Sequence, residues 1–98
     1  VRKGDISAVH ALRRGAAEAI EVVARGDGYS SKVVGRRVEE IALPEGVTIG
    51  AIVRGERVLI AHHDLLIESD DHVILFLVDR RKISAVEKLF TVGFGFFS

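Results

Sequence analysis

The dipeptide Gly55-Glu56 constrains the fold of this chain more than any other feature, because it separates two segments with alternating apolar residues. Residues 47–54 place an apolar side chain at almost every second position, and residues 57–61 follow directly after the dipeptide. Glycine at the first central position suits a type II′ turn, which joins two antiparallel strands. The sequence therefore predicts a β-hairpin, and with it a fold that contains an antiparallel sheet.

Three further segments bear on the sheet. Residues 5–12 fit an extended chain that has Ile6, Ala8, His10 and Leu12 on one side and Ser7, Val9 and Ala11 on the other. This pattern predicts a short strand. Residues 73–78 are apolar at every position, which is typical of a central strand covered on both faces. Residues 16–25 fit a strand face and a helical stripe equally well, so periodicity leaves both alternatives open.

Two helices are predicted from caps and apolar stripes. Ser30 or Ser31 can cap a helix after the turn at residues 26–28, and Pro44 with Gly46 ends that helix. Its buried stripe has three members: Val34, Val38 and Ile41. Asp79 can cap a second helix. The inward stripe of this second helix has four members: Ile83, Val86, Leu89 and Phe90.

Size and composition limit the classes of function. A chain of 98 residues suits a single domain over residues 1–98. Fourteen basic and fourteen acidic residues cancel, which argues against nucleic acid as a partner. The absence of cysteine removes disulfides and thiolate nucleophiles, and it is compatible with the reducing cytoplasm. Because the chain begins with Val1 and has no methionine, we expect it to be a fragment of a longer protein.

Three blocks of sequence, in this order and spacing, resemble the C-terminal RCK (TrkA-C) family. They read SKVVGRRV at residues 31–38, VTIGAIVRG at residues 47–55 and DDHVILF at residues 70–76. The opening residues 4–19 extend the similarity, so that the resemblance covers nearly the whole chain.

The resemblance implies an α+β fold with the plan β-α-β-β-β-α, a two-layer sandwich of a mostly antiparallel sheet and two helices. Residues 16–25 form a strand in such a plan. It also implies a cytoplasmic regulatory domain of a Trk potassium-uptake system that forms a homodimer. Its partners would be the remainder of its own chain and a Trk-type membrane potassium channel subunit, which would place the domain at the inner face of the cell membrane.

Cofactor binding is implied by the resemblance for a part of the family module that this chain does not contain. NAD or ATP would bind an N-terminal half, and no G-x-G-x-x-G motif occurs in these residues, so we expect no cofactor here. Relatives that bind a cyclic dinucleotide carry a basic residue after the capped helix. Residues 42–46 read ALPEG instead, with an acidic residue and a proline, which argues against that ligand.

Four arginines are the candidate ligand-binding residues: Arg36, Arg37, Arg54 and Arg57. Guanidinium groups match phosphate and carboxylate geometry, so these side chains could frame a small anionic ligand at a dimer seam. The alternative interpretation is solvated surface charge, which is the common state of exposed arginines.

Apolar residues beyond the needs of one small core predict a dimer or partner contact, and they are Val33, Val34, Phe94, Phe96 and Phe97. His62, His63 and Asp64 are weak metal candidates, because their spacing fits no structural zinc pattern, and we expect no metal.

No nucleophile, base and acid stand in a recognisable motif, so the chain is predicted not to be an enzyme. A small-molecule-sensing, ACT-like domain that controls an enzyme is the alternative. A β-α-β-β-α-β plan would favour that alternative.

Overall fold

The computed structural model describes residues 5–12 and 17–92, with side chains described from residue 18 onward. The strands are β1 (Asp5–Leu12), β2 (Ala17–Val23), β3 (Val47–Arg54), β4 (Arg57–Ile60) and β5 (His72–Leu77). One α-helix, α1 (Ile83–Leu89), follows the last strand. Single 3-10 turns lie at Val38–Glu40 and Arg80–Lys82.

All five strands form one antiparallel sheet in the order β1-β2-β5-β3-β4. The predicted strand at residues 5–12 is confirmed, and residues 17–23 take the strand alternative that the family resemblance implied. The hairpin is also confirmed, because Arg54 pairs with Arg57 across a turn in which Gly55 has a φ of 61°. The α+β class is therefore confirmed.

One face of the sheet carries the hydrophobic core. Alternate residues of the three inner strands point to this face and are buried: Ile20, Val22, Val47, Ile49, Ile52, Val73, Leu75 and Leu77. Four residues from the connecting segments cover them: Val33, Val34, Ile41 and Ile67. The removal of this apolar surface from water is the main force that holds the sheet against its second layer.

The second layer also contains α1, as the sequence predicted. Asp79 accepts a hydrogen bond from the Arg81 backbone N at 2.9 Å and so caps the 3-10 turn that leads into the helix. Val86 and Phe90 are buried in the core, and Ile83 and Leu89 pack against its margin. No helix within the described ranges is long and apolar enough to cross a membrane.

The prediction of a helix after Ser31 is wrong. The Ser31 hydroxyl does accept hydrogen bonds from the backbone N of Val33 and Val34, both at 3.0 Å, but the turn does not continue. Gly35 has a φ of 82°, outside the helical range. The backbone instead hydrogen-bonds to the segment before β5, through Gly35 N to the Ile67 O at 2.8 Å. Only the 3-10 turn at Val38–Glu40 remains of the predicted helix.

The prediction that residues 73–78 are covered on both faces is also wrong. β5 is central, between β2 and β3, but the side chains that point away from the core remain accessible. Phe76 is 45% exposed, and its ring extends from β5 over Gly50 of the neighbouring strand β3. A β-carbon at Gly50 would collide with the Phe76 ring, so the glycine makes room for this aromatic side chain. Gly50 also lies at the register shift between Ile49 and Ala51.

Candidate functional site

Arg54 holds the hairpin to the loop that precedes β5. Its Nε and Nη2 donate to the Asp71 carboxylate at 2.9 and 2.8 Å, and Nη2 also donates to the Leu66 O at 2.8 Å. Asp71 is 1% exposed, and it also accepts a hydrogen bond from the Glu68 backbone N at 2.8 Å. The hydrogen bonds to Asp71 raise the pKa of Arg54 although partial burial opposes the charge. The predicted ligand residue Arg54 therefore lies in an internal ion-pair network.

Arg36 turns its guanidinium toward the backbone of its own loop. Nη1 donates to the carbonyl oxygens of Ser31 at 2.9 Å and Val34 at 3.0 Å. These contacts fasten the turn that replaces the predicted helix, so Arg36 has a structural role that its sequence context did not indicate.

Arg37 is exposed and lies among three carboxylates. Its Nη2 is 3.5 Å from Glu39, its Nε is 3.4 Å from Glu40, and its Nη1 is 3.9 Å from Asp64. The hydrogen bond with Glu40 is the main reason that the pKa of Arg37 is raised. In return, backbone and side-chain hydrogen bonds from Arg37 lower the pKa of Glu40.

Arg57 is exposed at the start of β4, directly across the strand pair from Arg54. Among residues 18–92 its guanidinium makes neither an ion pair nor a side-chain hydrogen bond, whereas Arg37 and Arg54 form ion pairs and Arg36 donates to backbone carbonyls. The structure thus brings Arg54 and Arg57 together at the hairpin. It connects Arg37 to Arg54 alone, through Leu66, which forms an isolated β-bridge with Arg37 and accepts a hydrogen bond from Arg54.

The metal candidates His63 and Asp64 lie beside Glu39, and ligand atoms of the three residues are within 4.8 Å of one another. Glu39 was not predicted, since it is distant in sequence, and it arrives through the hydrogen bond from its backbone N to the His63 O at 3.1 Å. His62 lies outside the group and accepts a hydrogen bond from the Asp64 backbone N. All three members are exposed, and the guanidinium of Arg37 already supplies a positive charge to both carboxylates.

Val33 and Val34, predicted as contact residues, are buried in the core of this structure. The other predicted contact residues, Phe94, Phe96 and Phe97, lie outside the described residues. Exposed apolar side chains occur elsewhere, at Val58 and Ile60 of β4, which are 64% and 74% exposed. The sequence contained a signal for this surface, because Val58 and Ile60 alternate with Leu59 on a strand whose other face reaches the core.

On strands β3 to β5 and the described side chains of β2, the outward face of the sheet is apolar except for a few polar groups. From β5, Ile74 and Phe76 lie on this face, and Ile74 pairs with Ala51, which in turn pairs with Ile60. His72 and Glu21 also belong to it, and His72 Nδ1 is 2.8 Å from the Glu21 carboxylate. The face therefore offers an apolar contact surface with the hydrogen-bonded His72–Glu21 pair beside it.

Glu18 is a second buried carboxylate, at the β2 end of the core face. Its Oε1 is 3.1 Å from Nε of Arg80, which precedes α1 and is largely exposed. Its Oε2 is buried and has no hydrogen-bond partner among residues 18–92. A buried oxygen in this state makes the ion pair with Arg80 important for stability.

Ser30 and Ser31 were predicted to cap a helix, but they hydrogen-bond to the backbone of turns in a segment that forms no α-helix. Asp27 accepts hydrogen bonds from the backbone N of Tyr29 and Ser30 and from the Ser30 hydroxyl. These bonds, the backbone one from Ser30 foremost, lower the pKa of Asp27. The side chain of Tyr29 projects from this turn and is 92% exposed.

Comparison with known proteins gives one family and a consistent set of relatives. The model of the TrkA-C domain matches residues 28–91. The Trk system potassium uptake protein TrkA of Halomonas elongata is 65% identical over 97 residues, which are 99% of this chain and 21% of that protein. The protein of the same name from Vibrio alginolyticus is 63% identical over 90 residues, 92% of this chain and 20% of that protein. The chain spans about a fifth of the length of the curated relatives it matches.

Proposed function

Because the chain belongs to the TrkA-C domain family, we propose that it is a regulatory and dimerisation domain of a Trk potassium-uptake system. The observation that carries this proposal is the identity of 65% over 99% of the chain with a protein named for potassium uptake. The matched 97 residues include every strand and α1.

The proposed role is mechanical and does not require chemistry at the domain itself. The domain would contact the rest of its own chain and a Trk-type membrane subunit, from the cytoplasm at the inner face of the membrane. The Arg54–Asp71 network supports this role, because it fixes the hairpin relative to the central strands. A change in contact at the hairpin would then be transmitted to the sheet as a whole.

The proposed function includes a small anionic ligand at a dimer seam. Arg57 is the best-placed of the four predicted arginines, since its guanidinium is exposed and makes no ion pair within residues 18–92. It lies beside Val58 at the edge of the sheet, where a second subunit could complete a binding site.

A domain replacement tests the proposed function. The matching segment of the Halomonas elongata relative would be replaced by this chain, and potassium uptake would be measured in cells without their own copy of that relative. We expect uptake close to that of the unaltered relative. The matched control carries Ile52→Asp in the same chimera, which places an unpaired charge in the core and should abolish uptake.

Two other outcomes would contradict the proposal. Uptake equal to that of a relative from which the segment has been deleted would show that the chain does not replace the domain. Uptake that is unaffected by Ile52→Asp would show that the folded domain has no part in regulation.

A further inference from the structure

Strand β4 forms one edge of the sheet, and its exposed side chains are unusual for an edge. It lies last in the strand order, next to β3. Natural sheets commonly protect an edge with charges, proline or a bulge, because free backbone groups there can pair with another strand. β4 has Arg57 at its first position, but Val58 and Ile60 present apolar side chains to solvent.

The hairpin determines which backbone groups of β4 are available. Arg54 and Arg57 flank a two-residue turn and form the first pair of the ladder. In an antiparallel ladder, alternate residues direct N–H and C=O toward the neighbouring strand, and the others direct them away. The backbone N–H and C=O groups of Arg57, Leu59 and Ala61 are therefore directed toward β3. The hydrogen bond from Ala61 N to the Gly50 O at 3.1 Å illustrates this direction. Val58 and Ile60 point their backbone groups outward.

Two copies of β4 fit one another in one antiparallel register. With Leu59 of each copy on a two-fold axis, Val58 lies opposite Ile60 of the partner subunit. Both residues have outward backbone groups, so this register forms four hydrogen bonds between the copies. It also brings two apolar pairs together on the same face of the joined sheet, where such pairs stabilise the strands.

The charges around β4 favour the same register. Glu56 lies opposite His62 of the partner subunit, and Arg57 lies opposite Ala61 of the partner subunit, so like charges do not meet. Two neighbouring registers keep the faces aligned: one places Ile60 on the axis and sets Glu56 against Asp64 of the partner subunit, which opposes like charges, and the other places Val58 on the axis. The latter register sets Arg57 against Leu59 and Glu56 against Ile60 of the partner subunit, which pairs charged groups with apolar ones.

We propose that a second copy of this chain pairs antiparallel with β4, with Leu59 on the two-fold axis, so that two five-stranded sheets join into one. This proposal rests on the dimerisation proposed above and specifies its surface. It differs from the contact predicted at Val33 and Val34, because both of these side chains are buried in the core of the subunit. The self-complementary register at β4 is the reason to choose a second copy as the partner over an unrelated strand.

Disulfide cross-linking tests the register directly, because the chain has no cysteine of its own. In a pair without mutual hydrogen bonds, such as Leu59 with its counterpart, the Cα atoms lie about 4.5 Å apart, within disulfide range. Leu59→Cys should therefore form a covalent dimer under mild oxidation. Val58→Cys is the matched control, since its counterpart lies about two residues away along the strand and beyond the roughly 7 Å limit.

A charge exchange tests the pairing without a covalent bond. Val58→Lys with Ile60→Glu places opposite charges across the axis twice, whereas Val58→Lys with Ile60→Lys places only like charges there. We expect the second variant to raise the dimer dissociation constant, measured by sedimentation equilibrium, about tenfold or more above that of the first. Both sites are exposed, so circular dichroism should show that both variants remain folded.

Each outcome bears on the proposal. A covalent dimer of Leu59→Cys without one of Val58→Cys supports it, and the reverse result overturns the register. If neither variant cross-links while sedimentation shows a dimer, the contact lies elsewhere and this proposal fails although dimerisation stands. A chain that is monomeric at tens of micromolar overturns both. The potassium-uptake assay of the chimera is independent of these measurements and would separately test the regulatory role.

Discussion

The guanidinium of Arg54 and the buried carboxylate of Asp71 form a two-point ion pair, with N–O distances of 2.9 and 2.8 Å. Arg54 ends β3, and Asp71 immediately precedes β5, so the pair connects the hairpin to the loop before the central strand. A carboxylate that is 1% exposed depends on such a partner, because it has lost its hydration.

Arg54→Ala should destabilise the domain by about 2–4 kcal/mol, because it leaves Asp71 charged, buried and unpaired. Urea unfolding followed by circular dichroism measures this loss. Arg57→Ala is the matched control: it removes an exposed arginine at the paired position and should change the free energy of unfolding by no more than about 0.5 kcal/mol. Equal losses for the two variants would contradict the structural role of Arg54.

Gly50→Ala should cost about 1–3 kcal/mol, because its β-carbon would occupy the space of the Phe76 ring. The same substitution in a Phe76→Ala background should cost much less, since the obstructing ring is gone. Thermal unfolding of the four proteins measures the coupling between the two positions. Gly28→Ala is a suitable control, because a β-carbon there meets no atom within 4 Å. Additive effects at positions 50 and 76 would show that the two side chains do not compete for space.

Arg80→Ala should destabilise the fold by about 1–3 kcal/mol, because Oε1 of Glu18 loses its partner while Oε2 has none in the described part of the chain. Arg81→Ala, one residue further along the same turn, removes only an ion pair with Asp79 at the surface. That control should lose much less stability, because an ion pair at the surface is screened by solvent. Chemical unfolding measures the free energy of unfolding of both variants. An Arg80→Ala protein as stable as the Arg81→Ala control would show that the buried Glu18 carboxylate does not need the ion pair with Arg80.

The Asp79 cap should make stability depend on pH in acid. The side-chain hydrogen bond with Arg81, and then the one from the Arg81 backbone, lower the pKa of Asp79 from an ordinary value of 3.8 to about 2. A lowered pKa in the folded state adds stability above pH 3.8, and this contribution disappears as the pH falls toward 2. The melting temperature of the unsubstituted chain should therefore fall relative to that of Asp79→Asn between about pH 4 and pH 2. A constant difference across this interval would contradict the cap.

A small anion that binds the folded domain should raise its melting temperature by mass action. We expect a saturable rise with one member of a panel of NADH, ATP, ADP, cyclic dinucleotides and amino acids, measured by thermal shift. Arg57→Ala should reduce that rise if the ligand lies at the edge of the sheet, whereas Lys88→Ala, on α1, should leave it unchanged. An unchanged melting temperature with every compound of the panel would contradict ligand binding by this domain.

Local sequence was sufficient where one chemical feature acts over a few residues. Gly55 can adopt the positive φ that a tight hairpin requires, and Asp79 can cap the turn before α1. The stripe through Val86 and Phe90 identifies the buried side of the helix, since helical spacing alone places both on one face.

Sequence reasoning failed where distant segments compete for the same backbone groups. Ser31 begins a turn as predicted, but the backbone of Gly35 bonds to Ile67, far along the chain, and the helix does not form. The metal candidates likewise gained Glu39 through a backbone contact that sequence spacing could not indicate.

The sequence by itself determined four of the five strands, the hairpin, the inward face of α1 and the resemblance to the TrkA-C family, because these depend on periodicity, turn chemistry and residue order; β2 was left open by periodicity and followed only from the resemblance. Only the tertiary structure decided that Val33 belongs to the core and that Val58 and Ile60 face solvent. Burial depends on which segments cover which face of the sheet. That arrangement is fixed by long-range backbone pairing and by ion pairs such as Arg54–Asp71, whose members are brought together only when the chain folds.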